Sequence, residues 1–465
     1  MTTNASDSTD TAHAIRNNAL ALAVLAAAHV IGSAAFITFA TMAPFIRADL
    51  ALSATGFGFQ LSCYFAVQGI LALPIGAIID QIGVRIALVI ANLTILLGAL
   101  ILAFASSQLD ALLAMAVLGV GYCFVNPSTS KAVFQLIPPA RRATAMGIKQ
   151  SGVPVGGVLG ATVGGLAGTY DWRWLMAAVG LTACAFAASA LLLPRGHQGP
   201  GIRAGGMRQY IVNMRAVVAD RNITAFSVAS GFYQSAQFNF FGYITLFARE
   251  AMLASQPLAA ACLGIAQVAS AFGRMSWGAL SDFAFRGRRR PVLIMIASIA
   301  AVALMALAAM TENWGVIILI PITIILGLTV AGHVALIQTV VVETANPVYT
   351  ATSVAYNRLF VSLGASIGPP LFGATVDATG GYGAGWLFTA GLVLVATVQV
   401  LPVGDFIAGL VSPDAQEIRA ATAPPPDALA GEQMQKMGYE PNSDWVKELP
   451  LRLSMVREPG VDNTI

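Results

Sequence analysis

Charge is what this chain has least of. Acidic and basic side chains make up 10% of its 465 residues, against about 25% in an ordinary soluble domain, so most of its surface is not built to meet water. Histidine and cysteine are scarcer still, four of each. Cys63, Cys123, Cys184 and Cys262 all fall in apolar runs, with no CxxC pair and no metal-ligand spacing, and read as small packing residues. There is no phosphate-binding loop and no nucleophile triad pattern, which argues against an ATP-driven pump and against an enzyme. No catalytic residue, metal or cofactor is therefore assigned. The opening Met1 to Asn18 lacks a basic stretch and an A-x-A site, so a cleavable signal peptide is not expected. The net charge of +3 sits in particular loops rather than being spread, and no nucleic-acid partner is expected.

Apolar side chains fill the space that charge leaves. Hydrophobic residues are 57% of the chain and the mean hydropathy is +0.74. Runs of the roughly 20 residues that a bilayer span requires follow one another from about residue 20 to about residue 408. Twelve are expected, at about 19 to 43, 55 to 79, 86 to 106, 110 to 134, 145 to 168 and 173 to 193, then 223 to 247, 257 to 281, 290 to 310, 315 to 340, 351 to 376 and 384 to 407. The expected fold class is an all-α membrane protein with one six-helix bundle over 19–193 and another over 223–408. Residues 1–18 read as a tail, 194–222 as a linker whose basic stretch lies along the membrane surface, and 409–465 as a largely disordered tail in which Trp445 to Val456 is amphipathic. Arg85, Arg141, Arg142, the linker arginines and Arg286 to Arg290 all fall on one side. The positive-inside rule makes that side the cytoplasm and places both termini there. The short loops suit a multi-pass protein of a bacterial inner membrane.

One loop recurs. Gly76-Ala77-Ile78-Ile79-Asp80-Gln81-Ile82-Gly83-Val84-Arg85 lies between the second and third runs, and Gly278-Ala279-Leu280-Ser281-Asp282 opens the loop between the eighth and ninth. A shift of 208 residues also lays Ala143-Thr144 on Ala351-Thr352, Gly119 on Gly327, Gly156 on Gly364 and Gly160 on Gly368. The two bundles are thus pseudo-symmetric copies. The pattern G-x-x-x-D-x-x-G-x-R in this loop resembles the signature of the major facilitator superfamily of secondary transporters. That resemblance implies the two-bundle major facilitator fold and alternating access around a central site. It also implies a gating role for Gly76, Asp80, Gly83, Arg85, Gly278 and Asp282, with glycine allowing close helix approach and the charges locking neighbouring helices. The alternative is plain topology signalling by the arginines.

An ionisable side chain within a span costs about 3 kcal/mol, so each one is a candidate for function. His29, Lys149, Arg274, His333 and Arg358 qualify. At ~1.5 Å per residue, Lys149, Arg274 and Arg358 come out about 10 to 12 Å inside the same surface, where they face one anion or else snorkel. Lys131, nearer its span end, is expected to snorkel. His29 and His333 fall at mid-span and either bind substrate, titrate near neutral pH or simply pack. Gln60, Tyr64 and Gln68 recur every four residues and share a helix face, expected to line a hydrated pathway. Span seven adds Tyr233, Gln234, Gln237, Asn239 and Tyr243. Arg274 together with Arg358 is similar to the oxalate/formate antiporter and monocarboxylate transporter branch, and that similarity implies cations that hold carboxylates. The expected function is import of a small organic anion, a carboxylate, with a coupled proton or a counter-anion as open alternatives. An exporter of an amphipathic or drug-like compound and a non-transporting sensor on the same fold are the competing readings. Besides the solute, the bilayer is the expected partner, and no oligomeric state is assigned.

Overall fold

The computed structural model describes residues 5–138, 141–193, 207–345 and 350–400. The expected polar tail after residue 408 and the linker residues 194–206 lie outside them. Fifteen α-helices follow in order: α1 Ala5–Thr41, α2 Ala43–Asp49, α3 Ala54–Ile82, α4 Val84–Ala103, α5 Gln108–Leu136, α6 Arg142–Gly165, α7 Trp172–Ala190, α8 Met207–Ala219, α9 Arg221–Glu250, α10 Gln256–Ala279, α11 Arg289–Ala309, α12 Leu319–Thr329, α13 Val334–Thr344, α14 Thr350–Thr379 and α15 Gly383–Val400.

Local chemistry sets the helix ends. Ser53 accepts from the Gly56 N–H and starts α3, while Ser107 and Asp110 form a reciprocal capping box for α5. Asp171 and Asp220 cap α7 and α9. Gly83, at φ 82°, separates α3 from α4 in a conformation that a side chain disfavours. Among the described residues, ten stretches are long and apolar enough to cross a bilayer. An eleventh is made by α2 with Ala54–Ala72, bent by 115°. The remaining expected span is α9, whose buried Ser227, Gln234, Gln237 and Asn239 dilute its apolar content. Ile70, Leu109, Trp174 and Phe283 stand exposed on outer faces, as lipid contact requires and a soluble surface seldom allows.

Two findings differ from the sequence reading. Residues 207–219 of the expected linker are a helix, α8, whose Met214 and Val217 pack against Tyr356 and Phe360 of α14. The tenth expected run is not one helix but two, because the chain turns between Thr329 and Val334. Gly332 makes the break possible, since a Cβ there would lie 1.9 Å from Leu328 O. Carbonyls near the break are satisfied from α10: Trp277 Nε1 donates to Leu328 O at 2.7 Å and Ser270 Oγ to Ala331 O at 3.0 Å. Irregular backbone at membrane depth survives where protein neighbours supply the missing bonds.

The internal repeat is visible in the packing. Gly156 brings α6 against α1, with Val30 O 2.1 Å from where its Cβ would be, and Gly364 brings α14 against α9, with Gly231 O at 1.9 Å. Gly119 seats α5 on Tyr64 O of α3 as Gly327 seats α12 on Ala266 O of α10. Equivalent glycines thus make equivalent helix contacts in both halves. Across the halves, α3 packs on α14 and α6 on α10.

Candidate functional site

Hydrogen bonds that join the two halves gather at one end, the face opposite Arg85 and Arg289. Arg47, presented by the short α2, donates to both carboxylate oxygens of Glu250 at the end of α9, at 2.9 and 3.1 Å. Tyr382, in the turn before α15, donates to the same carboxylate at 2.6 Å. Burial and that carboxylate hold the Tyr382 hydroxyl well above its ordinary pKa, so it stays a donor. Asp377 of α14 accepts from the N–H groups of Ala54 and Thr55 at 2.9 and 2.8 Å, capping the start of α3 from the other half. Tyr243 reaches Ala54 O and Pro369 O at 2.8 and 2.9 Å. Gln256 reaches Thr41 O and Gly164 O, each at 2.9 Å. Toward the basic face the helices part: Gly76, Gly147 and Gly278 have no neighbour within 4 Å of an added Cβ. The close helix approach expected at Gly76 and Gly278 is therefore absent in this conformation.

Between these ends lies a cavity of ≈ 80 Å³ shared by both halves. Tyr64 of α3 and Arg274 of α10 both line it, with Ser33, Gln237 and Gln267. The Arg274 Nε is buried without a hydrogen-bond partner among the described residues. Aromatic side chains make most of the remaining wall, a feature that sequence reasoning missed. Phenylalanine in a membrane helix carries no mark that tells a lipid-facing ring from a cavity-facing one.

The other expected site residues are dispersed. Lys149 is fully buried, and its Nζ donates to Asn126 Oδ1, Thr129 Oγ1 and Ser130 Oγ on α5 at 3.1, 3.3 and 2.6 Å. His29 of α1 joins that cluster through Nε2, 3.0 Å from the same Thr129 oxygen. Since the Thr129 hydroxyl donates to Val125 O at 2.8 Å, Nε2 carries the imidazole proton and the buried Nδ1 is left without a partner. His333 opens α13 at the helix break, bonds Val330 O through Nδ1 at 2.7 Å and stacks on Tyr233 at 4.7 Å. Arg358 is exposed. Gln60 lies near the closed end and donates to Gln108 O at 3.3 Å, while Gln68 bonds back to Tyr64 O at 3.1 Å. Of the stripe Gln60, Tyr64 and Gln68, only Tyr64 lines the cavity. Of the three cations read at one depth, Lys149 turns to α5, while Arg274 and Arg358 both act electrostatically on Tyr122 of the cavity wall.

The recurring loops form locks of unlike chemistry. Asp80 pairs with Lys131 of α5 at 2.6 Å, so the ammonium reaches a half-exposed loop carboxylate, and the Asp80 partner here is Lys131 rather than Arg85. In the second copy Arg289 bonds Asp282 and Ser281, and grips Glu343 of α13 at 2.9 and 3.3 Å. Asp282 to Arg289 spans two residues more than Asp80 to Arg85, and a π-helical turn at Leu280–Ala284 with left-handed Arg286 and Gly287 absorbs the difference. Arg289 was hidden in a run of arginines, and that insertion is the signal that picks it out. Both locks tie helices within one half rather than across the two.

Comparisons with known proteins fit this architecture. The family model described as Major Facilitator Superfamily matches residues 24–369. A hexuronate transporter of Bacillus subtilis is 23% identical over 377 residues, covering 77% of this chain and 88% of the relative. An uncharacterized transporter of the same organism, YybO, is 31% identical over 150 residues, about a third of either chain. Among solved structures, a bacterial homologue of the human lysosomal transporter Spinster, inward-facing and occupied, superposes with a TM-score of 0.69 at 19% identity over 84% of this chain and 98% of its own. A point mutant of the nucleoside transporter NupG superposes with a TM-score of 0.72 at 12% identity over 82% and 99%.

Proposed function

The chain belongs to the major facilitator superfamily, and from that premise we propose that it carries a small organic anion, a carboxylate, across the membrane by alternating access. One observation carries the choice of an anion. Every ion pair among the described residues, from Arg47–Glu250 and Arg173–Asp49 at one end to Asp80–Lys131 and Arg289–Glu343 at the other, lies near a membrane surface. Arg274 and Lys149, between those ends, have no carboxylate partner. An unpaired cation in a medium of low dielectric favours a site for an anion. The hexuronate transporter among its relatives supports the same class.

Under the positive-inside rule the open face is cytoplasmic and this conformation faces inward. Closure of that face brings α6 onto α10 along their whole length. These helices run antiparallel, with Gly157 at Gln267 and Gly165 at Ala260. Continued inward, that register sets Gly147 opposite Gly278. In a background lacking the native cysteines, Gly147→Cys with Gly278→Cys is expected to form a disulfide during turnover and to stop uptake reversibly. Failure to cross-link under oxidising conditions that leave uptake intact would remove this closure geometry.

The binding test is thermal stability of purified protein against small carboxylates, cations and neutral solutes. At 100 times its Kd a ligand of the folded state adds about 2.7 kcal/mol. Stabilisation by a carboxylate, lost in Arg274→Gln, is the expected result; stabilisation by cations alone would overturn the reading. A competing amphipathic solute has one observation in its favour, an apolar cleft of ≈ 790 Å³ between α6, α10 and α12, lined by Val158, Leu166, Phe272 and Leu328. Ligand binding without flux in proteoliposomes would instead indicate a sensor.

A further inference from the structure

We propose that the carried anion is an aromatic carboxylate, with its ring seated among Phe36, Tyr64, Phe65 and Phe238 and its carboxylate on the Arg274 guanidinium. This rests on the organic-anion reading and narrows it. The rings come from three helices and from both halves. Phe36 of α1 stacks on Tyr64 of α3 at 4.9 Å and meets Phe238 of α9 edge-on at 5.6 Å, while Phe65 and Phe238 touch at 3.9 Å. Contacts of this kind exchange for contacts with a guest ring without leaving any hydrogen bond unmade. Arg274 lines the same cavity, and its unpartnered Nε belongs to a planar fork that takes a carboxylate by two parallel bonds.

A polyhydroxylated acid fits this wall poorly. Each hydroxyl buried in a dry site needs a partner. Side-chain amides and hydroxyls here come from Ser33, Gln237, Gln267 and two tyrosines, and the Gln237 oxygen already accepts from Gln234 at 3.2 Å. The cavity is small, ≈ 80 Å³, which favours a compact solute over a long or branched one.

Binding of benzoate, glucuronate and benzamide to the purified full-length protein decides the matter. Benzoate is expected to bind at least tenfold more tightly than either of the others, and Phe238→Leu or Phe65→Leu to weaken benzoate at least fivefold with acetate binding unchanged. Glucuronate binding as tightly as benzoate would overturn the aromatic assignment and leave the organic-anion reading standing. Benzamide equal to benzoate would overturn the role of Arg274 in it. Absence of binding by any carboxylate would overturn both readings together. The wild-type comparison decides even where a variant fails to fold.

Discussion

Proteoliposomes carrying Lys149→Gln are expected to take up substrate about a hundredfold more slowly than wild type, with the protein still folded and inserted. The reasoning separates charge from geometry. Lys149 makes three hydrogen bonds to neutral oxygens of α5, and through Thr129 it is linked to His29 of α1. A glutamine amide can keep part of that network, so α1, α5 and α6 stay joined. What it removes is a buried positive charge with no carboxylate beside it. Removing an attraction of about 3 kcal/mol between that charge and an anion held nearby in the transport step corresponds to about a hundredfold. Wild-type uptake by Lys149→Gln would make the residue a structural tie. Loss of uptake accompanied by loss of detergent-stable protein would also count against a specific role for the charge.

Gly156→Leu and Gly364→Leu are expected to leave almost no folded protein in the membrane. A Cβ at either position falls about 2 Å from a backbone carbonyl oxygen of the facing helix, Val30 O for one and Gly231 O for the other. Neither neighbour is a flexible side chain that can swing away. The helices would have to separate along their length, which exceeds the about 1 to 3 kcal/mol typical of overpacking in a core that can relax. Gly76→Leu provides the contrast, since nothing lies within 4 Å of its Cβ, and it should fold normally. Equal amounts of monodisperse protein from Gly364→Leu and wild type, by size-exclusion chromatography in mild detergent, would contradict the packing argument.

Much of this architecture is legible in the sequence because membrane spans announce themselves by length and hydropathy. Duplication sharpens the reading: the run at 223 to 247 gives the second half the same six spans as the first, and α9 is found there. The site is less legible. Tyr64 and Arg274 do meet at the cavity, but Lys149 turns to α5 and Gln60 to Gln108 O, because which way a side chain points depends on helix rotation that spacing alone does not fix. The closed end was invisible for another reason. Arg47 and Glu250 are 203 residues apart, and a pair that joins two halves leaves no local pattern. The break before His333 carried a single hint, Gly332, and one glycine does not reveal that Trp277 and Ser270 stand ready to bond the backbone there.

The three glycines that stand free toward the basic face have a further consequence for what a solute meets on its way. Helices without a side chain at Gly76, Gly147 and Gly278 present backbone there with no neighbouring segment within 4 Å of an added Cβ. The mouth is thus surfaced there by peptide groups, polar yet uncharged. A hydrated anion passing them meets neither charge nor free donor, because the helix N–H groups there are bonded within their own helices, and reaches a buried, unpartnered guanidinium nitrogen at the depth of Arg274.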